Sequence, residues 1–264
     1  MSDLLLVDAV RRLAAAGVDN PRLDARLLLA HARGDRVLFE SLVTRREARE
    51  PFAYITQRKE FWSLDFQVGP GVLVPRPETE TIIEATLTAF PDRSNALNVL
   101  DLGTGSGCLL VAFLKEFMNA HGLGIEKAEE TRTYAARNIE SHCLGGRCAI
   151  QAGDWAEAIP GPFDVVLSNP PYIKTSKLAR LQPEVARYEP VQALDGGPDG
   201  LQAYRALAPE IARLLAPKGK AFLEIGAGQS NEVASLLSQA GLEIERVVAD
   251  LAGIQRVLVA RRLQ

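Results

Sequence analysis

The chain has 264 residues, of which 47% are hydrophobic and 24% charged, enough to bury a full core in one large domain or in one ordinary domain with a small companion. Its formal net charge of −3 and pI of about 5.8 argue against a broad nucleic-acid footprint. No apolar run reaches the roughly 20 residues that a membrane helix needs, and Met1-Ser2-Asp3-Leu4 has neither the basic start nor the apolar core of a signal peptide, so none is expected.

Residues 1 to about 50 are expected to form small helices. Leu6, Val7, Val10, Leu13 and Ala14 fall on one helical face, and Gly17 suits the position after its end. Asn20-Pro21 is an N-cap followed by proline at N1, with Leu23, Leu27 and Ala30 forming the next stripe before Gly34. A third helix is predicted from about Val37 into Glu50, where Pro51 breaks it. Charges here nearly balance, and the block is too small for a catalytic pocket, so packing or partner docking is its expected role. The period then changes. Leu64, Phe66 and Val68 alternate with polar residues, Gly69-Pro70-Gly71 reads as a turn, and Val72 and Val74 resume the alternation, which predicts a β-hairpin. Pro77 is placed to open a helix whose first turn carries Glu78 and Glu80 and which runs through Ile82, Ile83, Ala85 and Leu87.

From residue 97 onward strands and helices alternate. Strands are predicted at 97–101, 122–126, 147–151, 163–168, 219–225, 242–249 and 255–261, and helices at 107–119, 128–140, 201–215 and 229–240. This is the pattern of a mostly parallel sheet with helices on both faces. The link at Leu251-Ala252-Gly253 is too short for a helical crossover, so the last two strands must pair antiparallel. An α/β sheet of seven strands with one reversed strand at the end has the outline of the class I, Rossmann-like methyltransferase fold.

Val99-Leu100-Asp101-Leu102-Gly103-Thr104-Gly105-Ser106-Gly107 is a buried strand running into a glycine-rich loop that opens a helix. Glycines let a ligand approach the backbone, and a loop at the carboxyl end of a central strand is where such sheets bind ligands. The dinucleotide fingerprint G-x-G-x-x-G fails, because its last glycine would fall on Cys108 or Leu110, and no Walker lysine follows. The loop resembles instead that of S-adenosylmethionine enzymes. Asp101, Gly103, Thr104, Gly105, Ser106 and Gly107 are then its candidate cofactor residues. Glu126 ends the second strand, placed to accept from both ribose hydroxyls, and Asp154 and Trp155 end the third, where Asp154 or its neighbouring backbone is expected to read the adenine edge and Trp155 to offer an apolar wall to the purine or its surroundings. No metal site is expected, since His31, His121 and His142 lack partners at zinc-like spacing. Cys108, Cys143 and Cys148 show no Cys-x-x-Cys spacing, which points to a reducing cytoplasm.

The buried run 163–168 ends at Asn169-Pro170-Pro171-Tyr172. Consecutive prolines make a stiff turn rich in carbonyl acceptors and poor in donors. Alone, such a pair is most often a rigid turn; beside a cofactor loop, with one amide and one ring, it suits a planar group carrying –NH2. Asn169 Oδ1 and the Pro170 carbonyl could each accept one N–H, and Tyr172 would pack against the flat group. Asn169, Pro170, Pro171 and Tyr172 are the substrate candidates, with Asn169, Pro170 and Tyr172 carrying the chemistry and Asn169 also next to the cofactor.

Nearly the whole chain resembles the PrmC/HemK family of protein-(glutamine-N5) methyltransferases acting on class 1 peptide chain release factors. The resemblance rests on Glu60-Phe61-Trp62-Ser63-Leu64, Val74-Pro75-Arg76-Pro77-Glu78-Thr79-Glu80, the glycine loop, Asn169–Tyr172, and the segments Tyr188-Glu189-Pro190, 193–197 and 199–201. It implies S-adenosylmethionine as methyl donor, with S-adenosylhomocysteine as product, and the glutamine of a Gly-Gly-Gln loop as acceptor. It also implies a helical substrate-docking domain at 1–54, a hairpin linker at 55–76 and a catalytic domain at 77–264; the cysteine pattern adds a cytoplasmic setting, the charge balance no direct nucleic-acid partner and the lack of a long apolar run no membrane, with a monomer as the default. Two positions depart from the family: Gln57 stands where glycine is usual, and Glu126 where aspartate is commoner. The same acceptor motif serves adenine amino-methyltransferases, and a ribosomal-protein glutamine methyltransferase would share all the catalytic motifs. The cluster Lys174, Lys177, Arg180 and Arg187, with Glu184 among them, is the one modest basic feature near the motif. A non-catalytic scaffold would need a broken cofactor loop, and this one is intact.

Overall fold

A computed structural model describes residues 2–155 and 159–263. It opens with the helices α1 (Ser2–Ala15), α2 (Pro21–His31) and α3 (Arg36–Glu47), which close on a small core of their own around Leu13, Leu28, Phe39 and Val43. Asp35 caps α3 by accepting from the Leu38 N–H at 3.0 Å. The third helix is shorter than the sequence predicts. It stops at Glu47, Arg49 turns the chain through a left-handed conformation (φ 66°), and Pro51 starts a further short helix, α4 (Phe52–Thr56), instead of only ending the previous one. Gln57 closes α4 with φ 56°, in the region that glycine occupies without strain.

The hairpin also differs from expectation. Strands β1 (Arg58–Phe61) and β2 (Leu64–Gln67) pair antiparallel, and the turn is Trp62-Ser63, not Gly69-Pro70-Gly71. Both turn residues have positive φ, 53° and 56°, as a two-residue hairpin loop matched to strand twist requires. The alternating Val68, Val72 and Val74 are irregular chain instead. They bury against Ala53 and Tyr54, and the Tyr54 hydroxyl donates to the Val72 carbonyl at 2.6 Å. Their alternation therefore records a buried side of a loop, which sequence period alone does not distinguish from a strand. A 3-10 turn at Pro77–Thr79 then leads into α5 (Glu80–Ala89).

The remaining elements are β3 (Asn98–Leu102), α6 (Cys108–Glu116), β4 (His121–Glu126), α7 (Glu129–Ser141), β5 (Cys148–Ala152), β6 (Phe163–Ser168), α8 (Pro183–Tyr188), α9 (Gln202–Leu214), β7 (Leu215–Glu224), α10 (Ser230–Gln239), β8 (Leu242–Ala249) and β9 (Gln255–Arg262). The sheet order is β5-β4-β3-β6-β7-β9-β8, and only β9 runs against its neighbours. Side chains alternate across it: Val99, Val165, Leu167 and Phe222 face α5 and α6, whereas Leu100, Val166, Ala221 and Leu223 face α9 and α10. Helix α6 is buried on every side from Leu109 to Leu114, which explains its lack of a polar stripe. From β3 the chain winds outward to β5 and then returns to β6 on the other side of β3. The crevice between the carboxyl ends of β3 and β6 is thus the switch point at which such sheets bind ligands.

The helical block is joined to this sheet through α8. Arg46 and Arg49 both reach Glu184, at 2.8 and 2.6 Å, and the Tyr188 hydroxyl donates to the Ala48 carbonyl at 2.9 Å. Glu184, which in sequence only dilutes a basic run, carries the ion pairs between the two parts. Among the described residues no helix is long and apolar enough to cross a membrane.

Candidate active site

Two adjoining clefts open at the switch point. The larger, about 810 Å³, is lined by Gly103, Thr104, Gly105 and Ser106 from the loop after β3, by Glu126 at the end of β4, by Asp154 and Trp155 after β5, and by Asn169 and Pro171 after β6. The smaller, about 510 Å³, is lined by Asn169, Pro170, Pro171 and Tyr172. Asn169, Pro171, Leu73, Arg76 and Ala193 border both, so they form the neck between them.

The loop is shaped by its backbone. Gly103, Gly105 and Gly107 have φ of 75°, 58° and 80°, a run that other residues adopt only with strain. A Cβ on Gly103 would sit 3.4 Å from the Trp155 ring, so that ring lies over the loop as a wall. The Gly103 and Thr104 N–H groups both donate to the Ile125 carbonyl at 3.0 Å, tying the loop to the end of β4. The buried Asn138 of α7 donates to the Ser106 carbonyl at 2.8 Å and accepts from the Gln67 N–H at 2.7 Å, so the hairpin is bolted to the same loop.

Glu126 accepts the Gly105 N–H on Oε2 at 3.1 Å and the Ala128 N–H on Oε1 at 2.9 Å. Each oxygen keeps a further lone pair, and the residue lines the larger cleft. Asp154 stands on the rim, its carboxylate paired with Lys127 at 2.7 Å, so what it offers the cleft is mainly backbone and position. Asp101 and Gly107 do not line either cleft. Gly107 caps α6. Asp101 lies beneath the loop, 1% exposed, with Oδ2 accepting from the Thr104 hydroxyl at 2.6 Å and Oδ1 without a partner among the described residues. Burial pushes its carboxyl up to about 7, against the Thr104 hydrogen bond and with a small addition from the Glu126 charge.

Asn169 donates from Nδ2 to the buried Thr79 hydroxyl at 3.0 Å. Its Oδ1 is thereby turned the other way, and among the described residues nothing donates to that oxygen or to the Pro170 carbonyl. Tyr172 lines the smaller cleft, as the expected packing surface requires, and is anchored from behind. Its ring packs against the core beneath α9 and α10, and its hydroxyl donates to Glu224 Oε1 at 3.1 Å, which with burial raises the phenol's pKa. Arg76 at the neck is held by the buried Glu189 at 2.6 Å, and Glu189 also accepts from the Val74 N–H at 3.2 Å.

Sequence reasoning missed Arg76, Thr79 and Glu224 as site residues. Glu224 had a signal, since it ends a central strand on the ligand side of the sheet; Arg76 and Thr79 come from a segment far away in sequence whose approach no local pattern records. Among the described residues no group of His, Cys, Asp or Glu is arranged to hold a metal ion.

The Methyltransferase domain family matches residues 93–224, and the PrmC N-terminal domain matches residues 5–37. Curated relatives include the release factor glutamine methyltransferase of Rhodospirillum rubrum, 45% identical over 95% of this chain and 82% of that one. The enzyme of the same name from Caulobacter vibrioides is 44% identical over 94% and 92%. Among solved structures, the catalytic domain of human Mettl16 with an RNA hairpin covers 83% of this chain and 82% of its own at a TM-score of 0.62 and 14% identity. A methyltransferase from Pyrococcus furiosus covers 84% and 96% at 0.54 and 21%. At these identities the structural likenesses establish the fold.

Proposed function

This chain belongs to the release factor glutamine methyltransferase family, and we propose that it methylates the side-chain amide nitrogen of the glutamine in the Gly-Gly-Gln motif of class 1 peptide chain release factors. The observation that carries the proposal is the pair of free acceptors in consecutive residues, Asn169 Oδ1 and the Pro170 carbonyl, on the smaller cleft where Asn169 also borders the larger one.

S-adenosylmethionine is the methyl donor, and the larger cleft fits it. Glu126 has lone pairs left for a diol, the glycine loop leaves its backbone approachable, and the orphaned Asp101 Oδ1 marks a buried acceptor beneath that loop. We assign Gly103, Thr104, Gly105 and Ser106 to its amino-acid end, Glu126 to the ribose, and Trp155 with the backbone beside Asp154 to the adenine. When bound, the cofactor supplies an electrophilic methyl group and leaves as the neutral thioether S-adenosylhomocysteine.

The protein's own task is to make a poor nucleophile react. An amide nitrogen shares its lone pair with its carbonyl, so it must be held in line and its developing positive charge stabilised. Asn169 Oδ1 and the Pro170 carbonyl each accept one N–H of the glutamine amide, and both hydrogen bonds strengthen as that nitrogen becomes positive and its N–H groups become better donors. The nitrogen gains the methyl carbon and then loses one proton to water, so no strong base is needed beforehand. Residues 1–54 serve as the docking domain, 55–76 as linker and 77–264 as the catalytic domain. The unpaired cysteines support a cytoplasmic setting, and a monomer without nucleic-acid partner is the working assembly.

The test is mass spectrometry of a release factor incubated with the protein and S-adenosylmethionine. One added methyl on the Gly-Gly-Gln glutamine is expected. Methylation of an adenine-containing oligonucleotide, or of ribosomal protein, with that glutamine left unmodified would overturn the assignment.

A further inference from the structure

Behind Asn169 lies a buried carboxylate that the reaction as described does not use. Glu224 ends β7 and is 1% exposed. Its Oε1 accepts from the Tyr172 hydroxyl at 3.1 Å, and its Oε2 has no hydrogen bond of good geometry among the described residues. The Thr79 hydroxyl, itself 3% exposed, approaches the same carboxylate and favours its charged form. Thr79 is also the group that accepts from Asn169 Nδ2. A hydroxyl that accepts a hydrogen bond from an amide must send its own proton elsewhere, and the carboxylate is the acceptor it faces.

We propose that Glu224 is a positioning residue for methyl transfer, fixing the direction of a hydrogen-bond chain from Asn169 through Thr79 to its own carboxylate. The inference rests on the glutamine methyltransferase reading of the site. The chain works in one direction only. With Glu224 charged, Thr79 donates to it, its oxygen is left to accept from Asn169 Nδ2, and Asn169 Oδ1 faces the acceptor cleft. With Glu224 protonated, the carboxyl can itself donate to Thr79, whose proton is then free to turn toward Asn169. The amide can rotate to accept it, which presents –NH2 to the substrate's own –NH2. The second contact, from Tyr172, holds the other end of the same turn, so one carboxylate fixes both sides of the double-proline segment.

Other groups face Glu224 from every side and set when it titrates. Arg256 of β9 favours its charge, Glu78 of the 3-10 turn opposes it, and the hydroxyls of Thr79 and Tyr172 favour it. Tyr204 of α9 donates to the Glu224 backbone carbonyl at 2.8 Å, and Cys108 of α6 is near enough to feel its charge. Burial is the largest influence and pushes the carboxyl up to about 6. Activity that depends on the charged form must therefore fall on the acid side of neutrality.

The experiment compares wild type, Glu224→Gln and Thr79→Val for methylation of an intact release factor between pH 5 and 8, with cofactor affinity measured calorimetrically. Wild-type kcat should decline below pH about 6. Glu224→Gln keeps the size but can donate to Thr79, so its kcat should fall by roughly 10- to 100-fold, the scale of a small misplacement of reacting groups. Its acid decline should vanish, and cofactor affinity should stay within about twofold, a change worth only tenths of a kcal/mol. Thr79→Val breaks the chain without altering the carboxylate. It should lose kcat to a similar extent, the double variant should be no worse than either single one, and it carries the test alone if Glu224→Gln does not fold. Wild-type kcat with the acid decline intact in either variant overturns the inference while leaving the function standing. A wild type that never methylates the release factor overturns both.

Discussion

Replacing Glu184 by alanine tests whether the helical block acts through α8. Arg49 donates to Glu184 from Nε and Nη2, both at 2.6 Å, and Arg46 donates from Nη1 at 2.8 Å. The three side chains are 14%, 13% and 8% exposed for Arg49, Glu184 and Arg46, so the cluster is largely out of water. Removing one member of a fully buried ion pair costs about 3–5 kcal/mol, chiefly because a charge is stranded. Here neither arginine is stranded. Arg46 keeps Asp24 at 2.8 Å and the Glu50 carbonyl, and Arg49 keeps the carbonyls of Ala16 and Gly17. The expected loss is therefore nearer 2 kcal/mol, below the range for stranded charges. It should appear in urea unfolding as a lower midpoint for the helical block. Because α8 leads directly to Glu189, which holds Arg76 and Val74 at the neck, the KM for the release factor should rise several-fold while cofactor affinity stays constant. Burial opposes the charge on Glu184, but hydrogen bonds from Arg49 and Arg46 hold its carboxyl below the usual range. Its contribution is thus present above the unfolded carboxyl's pKa and lost as pH falls through the lower folded value, so wild type and variant should converge in acid. An unchanged midpoint and an unchanged KM would refute the latch. An equal loss of cofactor affinity would place the effect in the sheet instead of the docking contact.

Asn169→Ala removes one of the two acceptors and should lower kcat by at least about 100-fold, the scale seen when one preorganised polar contact to developing charge is lost; cofactor affinity measured by calorimetry should change little, and a loss of similar size there would reassign the residue. Asp101 binds its proton more tightly folded than unfolded, since burial pushes its carboxyl from an ordinary 3.8 up to about 7. Its stabilising contribution is complete below the unfolded value and lost as pH rises through the folded one, roughly 4 kcal/mol between pH 4 and 8 at 1.36 kcal/mol per unit. Asp101→Asn should abolish that slope in urea titrations of the cofactor-free protein, and an unaltered slope would show the carboxyl to be ionised at little cost. Gln57→Gly should stabilise the protein by about 0.5–1 kcal/mol, because Gln57 is exposed and held at φ 56°; destabilisation on thermal melting would mean the side chain has packing that outweighs backbone strain.

The parallel sheet was legible because each of its strands is a short apolar run ending in a turn, and because the one link too short for a helix, at 251–253, forces the reversal of β9. The errors lie where one pattern has two physical causes. Val68, Val72 and Val74 alternate because one side of a loop is buried against Tyr54, while the real hairpin turn is Trp62-Ser63, whose residues carry none of the usual glycine or asparagine signal. Pro51 was legible as an ending, and its second role as the start of α4 depends on Arg49 reversing the chain first. In the site, Glu126 and the loop glycines follow from the strand-end rule. The anchor of Tyr172 does not, since its hydroxyl partner Glu224 lies 52 residues away.

That dependence on distant partners says why the acceptor turn alone is so weak a marker. Asn169-Pro170-Pro171-Tyr172 provides two carbonyl-type acceptors, but a primary amide is nearly symmetric and can present either end. Which end it presents is decided by Thr79, 90 residues earlier, and the same 3-10 turn follows directly on Arg76 at the neck. The segment from Val74 to Glu80 therefore does two things at once. It gives the acceptor its polarity through Thr79, and through Val74 and Arg76 it is fastened to Glu189, at the end of the helix that grips the helical block. Glu189 is held within a few residues of the group that orients Asn169, so α8 is the bonded route from the helical block to that group.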